Sequence, residues 1–98
     1  MRESSPETSV DPEKVAERLV AVRAALGLDK ASFSDIIGID RSSYTKIEKG
    51  IKPLLPPYAF KIYQLYSIDM NFIYLGQLGG LPQSLSKDII THLTKRKS

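Results

Sequence analysis

The sequence predicts an all-α fold: a compact domain of five short helices followed by an extra amphipathic helix towards the C-terminus. Three observations carry this expectation. Apolar residues recur every three or four positions through most of the chain. The runs are punctuated by aspartates that can cap a helix and glycines that can end one. No segment reads as a strand, and there is no internal repeat or low-complexity tract.

The first helix starts at Asp11-Pro12, which supplies a side-chain acceptor at the cap and proline at the first helical position. Val15, Leu19, Val22 and Leu26 follow at helical spacing, and Gly27 stops the run. Asp29 caps a second short helix, KASFSDII, with Phe33, Ile36 and Ile37 expected inward. Gly38 makes the turn, since glycine enters the left-handed region without a side-chain penalty. Asp40 then caps a third helix, Arg41 to Lys49, which ends at Gly50.

IKPLLPP cannot continue as helix. Pro53, Pro56 and Pro57 remove donors and push each preceding residue towards extended geometry. Pro57 is expected to open a fourth helix with Phe60, Ile62, Leu65 and Tyr66 inward. NFIYLG makes a short fifth helix and GQLGG a connector. From Pro82 a last helix carries Leu85, Ile89 and Leu93 on one side. The expected organisation is a flexible tail over residues 1–10, a folded domain over 11–78, and a C-terminal helix with a basic tail over 79–98.

At 98 residues the chain is long enough for one modest core. Its net charge of +3 is unevenly spread. Residues 1–13 hold Arg2 against Glu3, Glu7, Asp11 and Glu13, a balance of −3, so the remainder carries +6. A basic folded region favours a polyanionic partner, most often nucleic acid. There are no cysteines, so disulfides and thiolate metal sites are excluded. His92 is the single histidine and has no ligand partners nearby in sequence, so neither a metal nor a cofactor is expected. No apolar run approaches the length of a membrane span and no secretory signal opens the chain, so a cytoplasmic protein is expected. No cysteine nucleophile, phosphate-cradling loop or suggestively paired carboxylates are present, so an enzyme is not expected.

The stretch DIIGIDRSSYTKIEKG concentrates the functional signal. A helix-turn-helix needs apolar residues where two helices cross, a small residue at closest approach, glycine in the turn and a cap on the second helix. Phe33, Ile37, Ile39, Tyr44 and Ile47, then Ser34, Gly38 and Asp40, meet those needs in order. Two helices held this way free the outer face of the second to enter a major groove, which admits one helix.

On these residues the chain resembles the lambda-repressor/Cro (XRE) family of helix-turn-helix DNA-binding domains, found in bacterial and phage transcription regulators. ERLVAVRAALGL is similar to the family's first helix, KASFSDIIGIDRSSYTKIEKG to its second and third, and YAFKIYQLYSIDMNFIYLG to its fourth and fifth. The resemblance runs from Pro12 to Gly76 without a gap. It implies a lambda-repressor-like five-helix domain that binds double-stranded DNA. It also implies that Arg41, Ser42 and Lys46 read bases, while Ser43, Thr45 and Lys52 meet phosphates. Lys30 stands where relatives commonly carry a phosphate-gripping glutamine. Arg23 and Glu48 match the family's structural ion pair between the first and third helices. Ser34 replaces the usual alanine. Tyr44 replaces a branched aliphatic residue, so its hydroxyl needs a partner or a path to water.

The function implied is a sequence-specific transcriptional regulator, a repressor, that binds a pseudo-palindromic operator as a homodimer. Two readings stand beside it: an antitoxin that represses its own operon and pairs with a toxin, and a protein-interaction module that has lost DNA binding. Leu85, Ile89 and Leu93 either fold back onto the domain's core or form a dimer surface, the latter being preferred. Phe72, Ile73 and Leu75 of the short fifth helix are the other candidate for that surface. The basic residues and apolar stripe of the last helix are too few for membrane anchoring. The KRK near the C-terminus reads as a solvated tail.

Overall fold

The computed structural model describes residues 10–97, with the side chains of residues 96 and 97 left aside. Residues 1–9, nearly all of the expected flexible tail, and residue 98 lie outside the described residues; the KRK stretch, expected as a solvated tail, continues the last helix as far as Lys97. The described chain forms six helices: α1 (Pro12–Leu26), α2 (Lys30–Ile37), α3 (Arg41–Glu48), α4 (Pro56–Tyr66), α5 (Met70–Leu75) and α6 (Gln83–Lys97). No strand occurs among the described residues.

Short helices need their orphan amides satisfied, and aspartates do this four times. Asp11 accepts from the Glu13 amide at 2.9 Å, Asp29 from Ser32 at 2.7 Å, Asp40 from Ser43 at 3.0 Å and Asp69 from Phe72 at 2.9 Å. The first three caps sit where the sequence placed them; Asp69 is an addition. α4 has no side-chain cap, and prolines fill its first turn, where two of the orphan amides would otherwise be.

α1 is the central element, packing against α3, α5 and α6. Its Val15, Leu19 and Val22 are buried with Phe33, Tyr44, Ile47, Ile62, Ile68, Phe72, Ile73 and Ile89 in one core. Arg18, on the same helix, donates from Nη1 to the Ile73 carbonyl at 3.2 Å and so ties α1 to the end of α5. Burial holds this guanidinium's pKa below its ordinary value. Gly76 (φ 79°) follows α5, and a Cβ there would lie 2.8 Å from Arg18 Nη2.

Three expectations are corrected. α4 begins at Pro56 rather than Pro57, and its buried residues are Ala59 and Ile62, with Tyr66 half-buried beside the Phe33 ring. Phe60 and Leu65 are 49% and 47% exposed. Each lies about one residue's rotation, roughly 100°, away from the buried line through positions 59, 62 and 66. In α2 the inward set is Phe33, Ser34 and Ile37, and Ile36 is 38% exposed for the same reason of phase.

The third correction concerns the expected dimer surface. Phe72, Ile73 and Ile89 are fully buried in the chain's own core, and Leu85 and Leu93 are half-buried against it. α6 folds back along α1, so these five side chains complete one protomer. The apolar side chains left exposed at this end are Leu75, Leu78 and Ile90.

Candidate nucleic-acid interface

The α2–α3 unit is fixed from within. Gly38 adopts φ 80°, and its amide donates to the Asp35 carbonyl at 3.2 Å. The Ile39 amide reaches back to the Ser34 carbonyl at 2.9 Å, which closes α2 with a paired-bond cap. Ile39 is buried beneath that turn. Where the helices cross, Ser34 is buried and its hydroxyl donates to the Ala31 carbonyl at 2.9 Å, leaving no orphan donor. The Phe33 and Tyr44 rings meet edge-to-face at 5.6 Å and 80°.

α3 is held to α1 by a second device. Arg23 donates from Nε to Glu48 Oε2 at 2.7 Å and from Nη2 to Oε1 at 3.1 Å. Its Nη1 donates to the Leu28 carbonyl at 3.1 Å. The two side chains are 18% and 4% exposed, so the pair is largely desolvated. The Tyr44 hydroxyl donates to the same Glu48 carboxylate at 2.5 Å, which supplies the partner that a buried tyrosine requires. The hydrogen bonds to Glu48 raise the Arg23 pKa, and burial raises that of the Tyr44 hydroxyl.

With Tyr44, Ile47 and Glu48 turned inward, the helical period turns Arg41, Ser42, Thr45, Lys46 and Lys49 outward. Arg41, Ser42 and Lys46, singled out in the sequence, share this stripe. Thr45 lies between them, with its hydroxyl donating to the Arg41 carbonyl at 3.0 Å. Ser42 donates its hydroxyl proton to Asp40 at 2.6 Å, so the oxygen it presents to solvent acts as an acceptor.

Ser43 and Lys52 form a flank of their own. The loop after α3 folds back, with the Ile51 and Lys52 amides donating to the Lys46 carbonyl at 3.0 and 3.3 Å. Lys52 Nζ then comes 3.4 Å from Ser43 Oγ. Two residues nine positions apart thus become neighbours beside the stripe. Lys30 is exposed as the first residue of α2, next to the Asp29 cap.

One partner at this face was not legible in the sequence. Asp35, on the last turn of α2, accepts from Arg41 Nε at 3.2 Å and Nη2 at 2.7 Å. The Arg41 guanidinium keeps the Asp35 carboxyl below the usual carboxylate range, and Asp35 in turn raises the Arg41 pKa. Asp40 is likewise held low, by the Ser42 hydroxyl and the Ser43 amide.

Among the described residues no group of three or more His, Cys, Asp or Glu side chains could hold a metal ion, and no helix is long and apolar enough to cross a membrane. A helix-turn-helix family model of the XRE type matches residues 19–73, more than half of the chain. No curated protein and no solved structure gives a significant match. The matched span includes most of the core, the glycine turn and the whole outward stripe of α3. The chain therefore belongs to the lambda-repressor/Cro-like helix-turn-helix family, a family of DNA-binding regulators.

Proposed function

We propose that the protein is a transcriptional repressor that binds a pseudo-palindromic operator as a homodimer, with one α3 in each major groove. The observation that carries this reading is the division of α3 into two faces. Its inward residues lock it to α1 and α2, and its outward residues are cationic or hydrogen-bonding side chains in one exposed stripe. Arg41 and Lys46 suit guanine O6 and N7, while the Ser42 oxygen suits an exocyclic amine. Ser43 with Lys52, and Lys30 on α2, grip phosphates, which set orientation without reading sequence.

Dimerisation would use the apolar surface that the core leaves over at the α5–α6 end, namely Leu75, Leu78 and Ile90. Half-sites would then lie about 10–10.5 base pairs apart, or a multiple of that. Repression follows from occupancy of promoter DNA.

A protein partner, such as a toxin, is the second reading, and one observation favours it. Phe60 and Tyr63 are exposed on α4 with their rings 6.1 Å apart, away from the outward stripe of α3 in sequence and on a different helix.

Selection of the purified protein against random duplexes at near-physiological salt tests the first reading. An enriched inverted repeat is the expected result, and its spacing reports the separation of the two α3 helices. Weak binding without a motif, lost as salt rises, would leave only electrostatic association and turn attention to the α4 aromatics.

A further inference from the structure

We propose that Asp35 is a specificity-determining positioning residue, which holds the Arg41 guanidinium side-on so that its opposite edge is presented to a guanine. The inference rests on the reading of Arg41 as a base contact. It adds a residue on the other helix of the motif, one that touches no base in this scheme.

The geometry is the argument. A guanidinium carries five N–H groups in a planar fork, and these form two edges able to make paired bonds. The side edge joins Nε to one N–H of Nη2, and the end edge joins the other N–H of Nη2 to Nη1. Asp35 occupies the side edge with both carboxylate oxygens, at 3.2 Å to Nε and 2.7 Å to Nη2. The end edge is left for a second bidentate acceptor, and guanine O6 and N7 provide one in the major groove. The pair spans the glycine turn, from the last turn of α2 to the first residue of α3. It is therefore anchored to two elements that the core already holds rigid.

The environment argues in the same direction. Arg41 and Asp35 are 65% and 57% exposed, on the face with the cationic stripe. An exposed ion pair adds little to folding stability. A carboxylate on a surface that meets phosphates opposes general DNA affinity, so its position is unfavourable for non-specific binding. Both effects increase the ratio of specific to non-specific binding. Asp35 directs a flexible cation to one acceptor pair, and it penalises any complex in which that cation merely neutralises a phosphate. The Arg41 guanidinium holds the Asp35 pKa below the usual carboxylate range, which favours its ionised form.

The test uses the full chain and the duplex enriched by the wild-type protein, together with a panel in which each half-site base pair is replaced in turn. Arg41→Ala should abolish the preference at one guanine. Asp35→Asn should reduce the preference at that same position by about tenfold, the scale of a partly lost bidentate contact. It should leave the other positions unchanged and bind random duplex as tightly as wild type or more so. Asp35→Glu should restore part of the preference, and Asp35→Asn combined with Arg41→Ala should match Arg41→Ala alone. Full retention of the guanine preference in Asp35→Asn, alongside its loss in Arg41→Ala, overturns the positioning role and leaves the base-reading role intact. An even loss across all positions in Asp35→Asn means a structural effect and also overturns it. An Arg41→Ala protein with unaltered preferences, or a wild type that enriches no motif, removes both.

Discussion

The Tyr44 hydroxyl donates to the carboxylate of Glu48, one turn further along the same helix, so α3 carries part of its own anchor. Arg23 approaches that carboxylate from α1. Replacement of Tyr44 by phenylalanine keeps the ring packed on Phe33 and removes one donor to a charged acceptor. The expected cost is about 1–3 kcal/mol. For a domain of this size that lowers the thermal midpoint by about 4–8 °C for each kcal/mol. The DNA preference should not change, because the outward stripe is untouched.

Arg23→Ala should be the more damaging change. It leaves the Glu48 carboxylate, 4% exposed, without its counter-charge. Breaking one side of a buried pair costs about 3–5 kcal/mol. Equilibrium denaturation of the two variants should rank them in this order; a milder loss in Arg23→Ala would mean that water reaches Glu48 readily.

Acid should destabilise the fold through its aspartate caps. Asp29 and Asp40 are held below their ordinary pKa by hydrogen bonds from the Ser32 amide and the Ser42 hydroxyl respectively. The folded state therefore binds fewer protons than the unfolded chain as pH nears the free aspartate value of about 3.9. Their contribution is complete above that value and is lost as pH falls through the lower folded values. Denaturation midpoints should be level from neutral pH to about pH 5 and decline below it. Asp40→Asn, which keeps a capping acceptor but cannot ionise, should flatten the decline.

Lys46 and Lys52 should separate in DNA binding. Lys46→Ala should cost about 1–3 kcal/mol on the enriched operator and relax preference at one position. Lys52→Ala should weaken operator and random duplex alike and reduce the salt slope by about one. Titrations at several salt concentrations on both duplexes distinguish the two patterns.

Gly38 and Gly76 share nearly the same backbone but differ in surroundings. Nothing lies within 4 Å of a Cβ at Gly38, so alanine there incurs only the left-handed penalty of about 1–2 kcal/mol. At Gly76 the same penalty is joined by displacement of Arg18 from the Ile73 carbonyl. Gly76→Ala should be the less stable variant, and the difference should narrow when Arg18 is also replaced.

The parts of this molecule that were legible in the sequence are those specified by local chemistry. Asp11, Asp29 and Asp40 marked helix starts because a carboxylate reaches an amide two or three residues on wherever the backbone turns into a helix. The phase of α4 was not legible. Ala59, Phe60, Ile62, Tyr63, Leu65 and Tyr66 are apolar or aromatic around most of the helix, so periodicity does not single out the buried line. The stripe of α6 was ambiguous for another reason: Leu85, Ile89 and Leu93 have the same spacing whether the surface they cover is α1 or a second copy. The Arg23–Glu48 pair followed from family resemblance. The Arg41–Asp35 pair depends on side-chain torsions across a turn, which spacing does not encode.

The partition of α3 also bears on how such a protein can change. Tyr44, Ile47 and Glu48 turn their side chains to the interior, while Arg41, Ser42 and Lys46 are exposed. None of these six is asked to satisfy both, so under the proposed reading the three outer ones can be exchanged without disturbing the scaffold beneath them. A new target sequence would then be reached by exchanging three side chains and the aspartate proposed to steer one of them. Such a surface would act as an exchangeable cassette, and lineages sharing this interior would diverge in the DNA they regulate while folding in the same way.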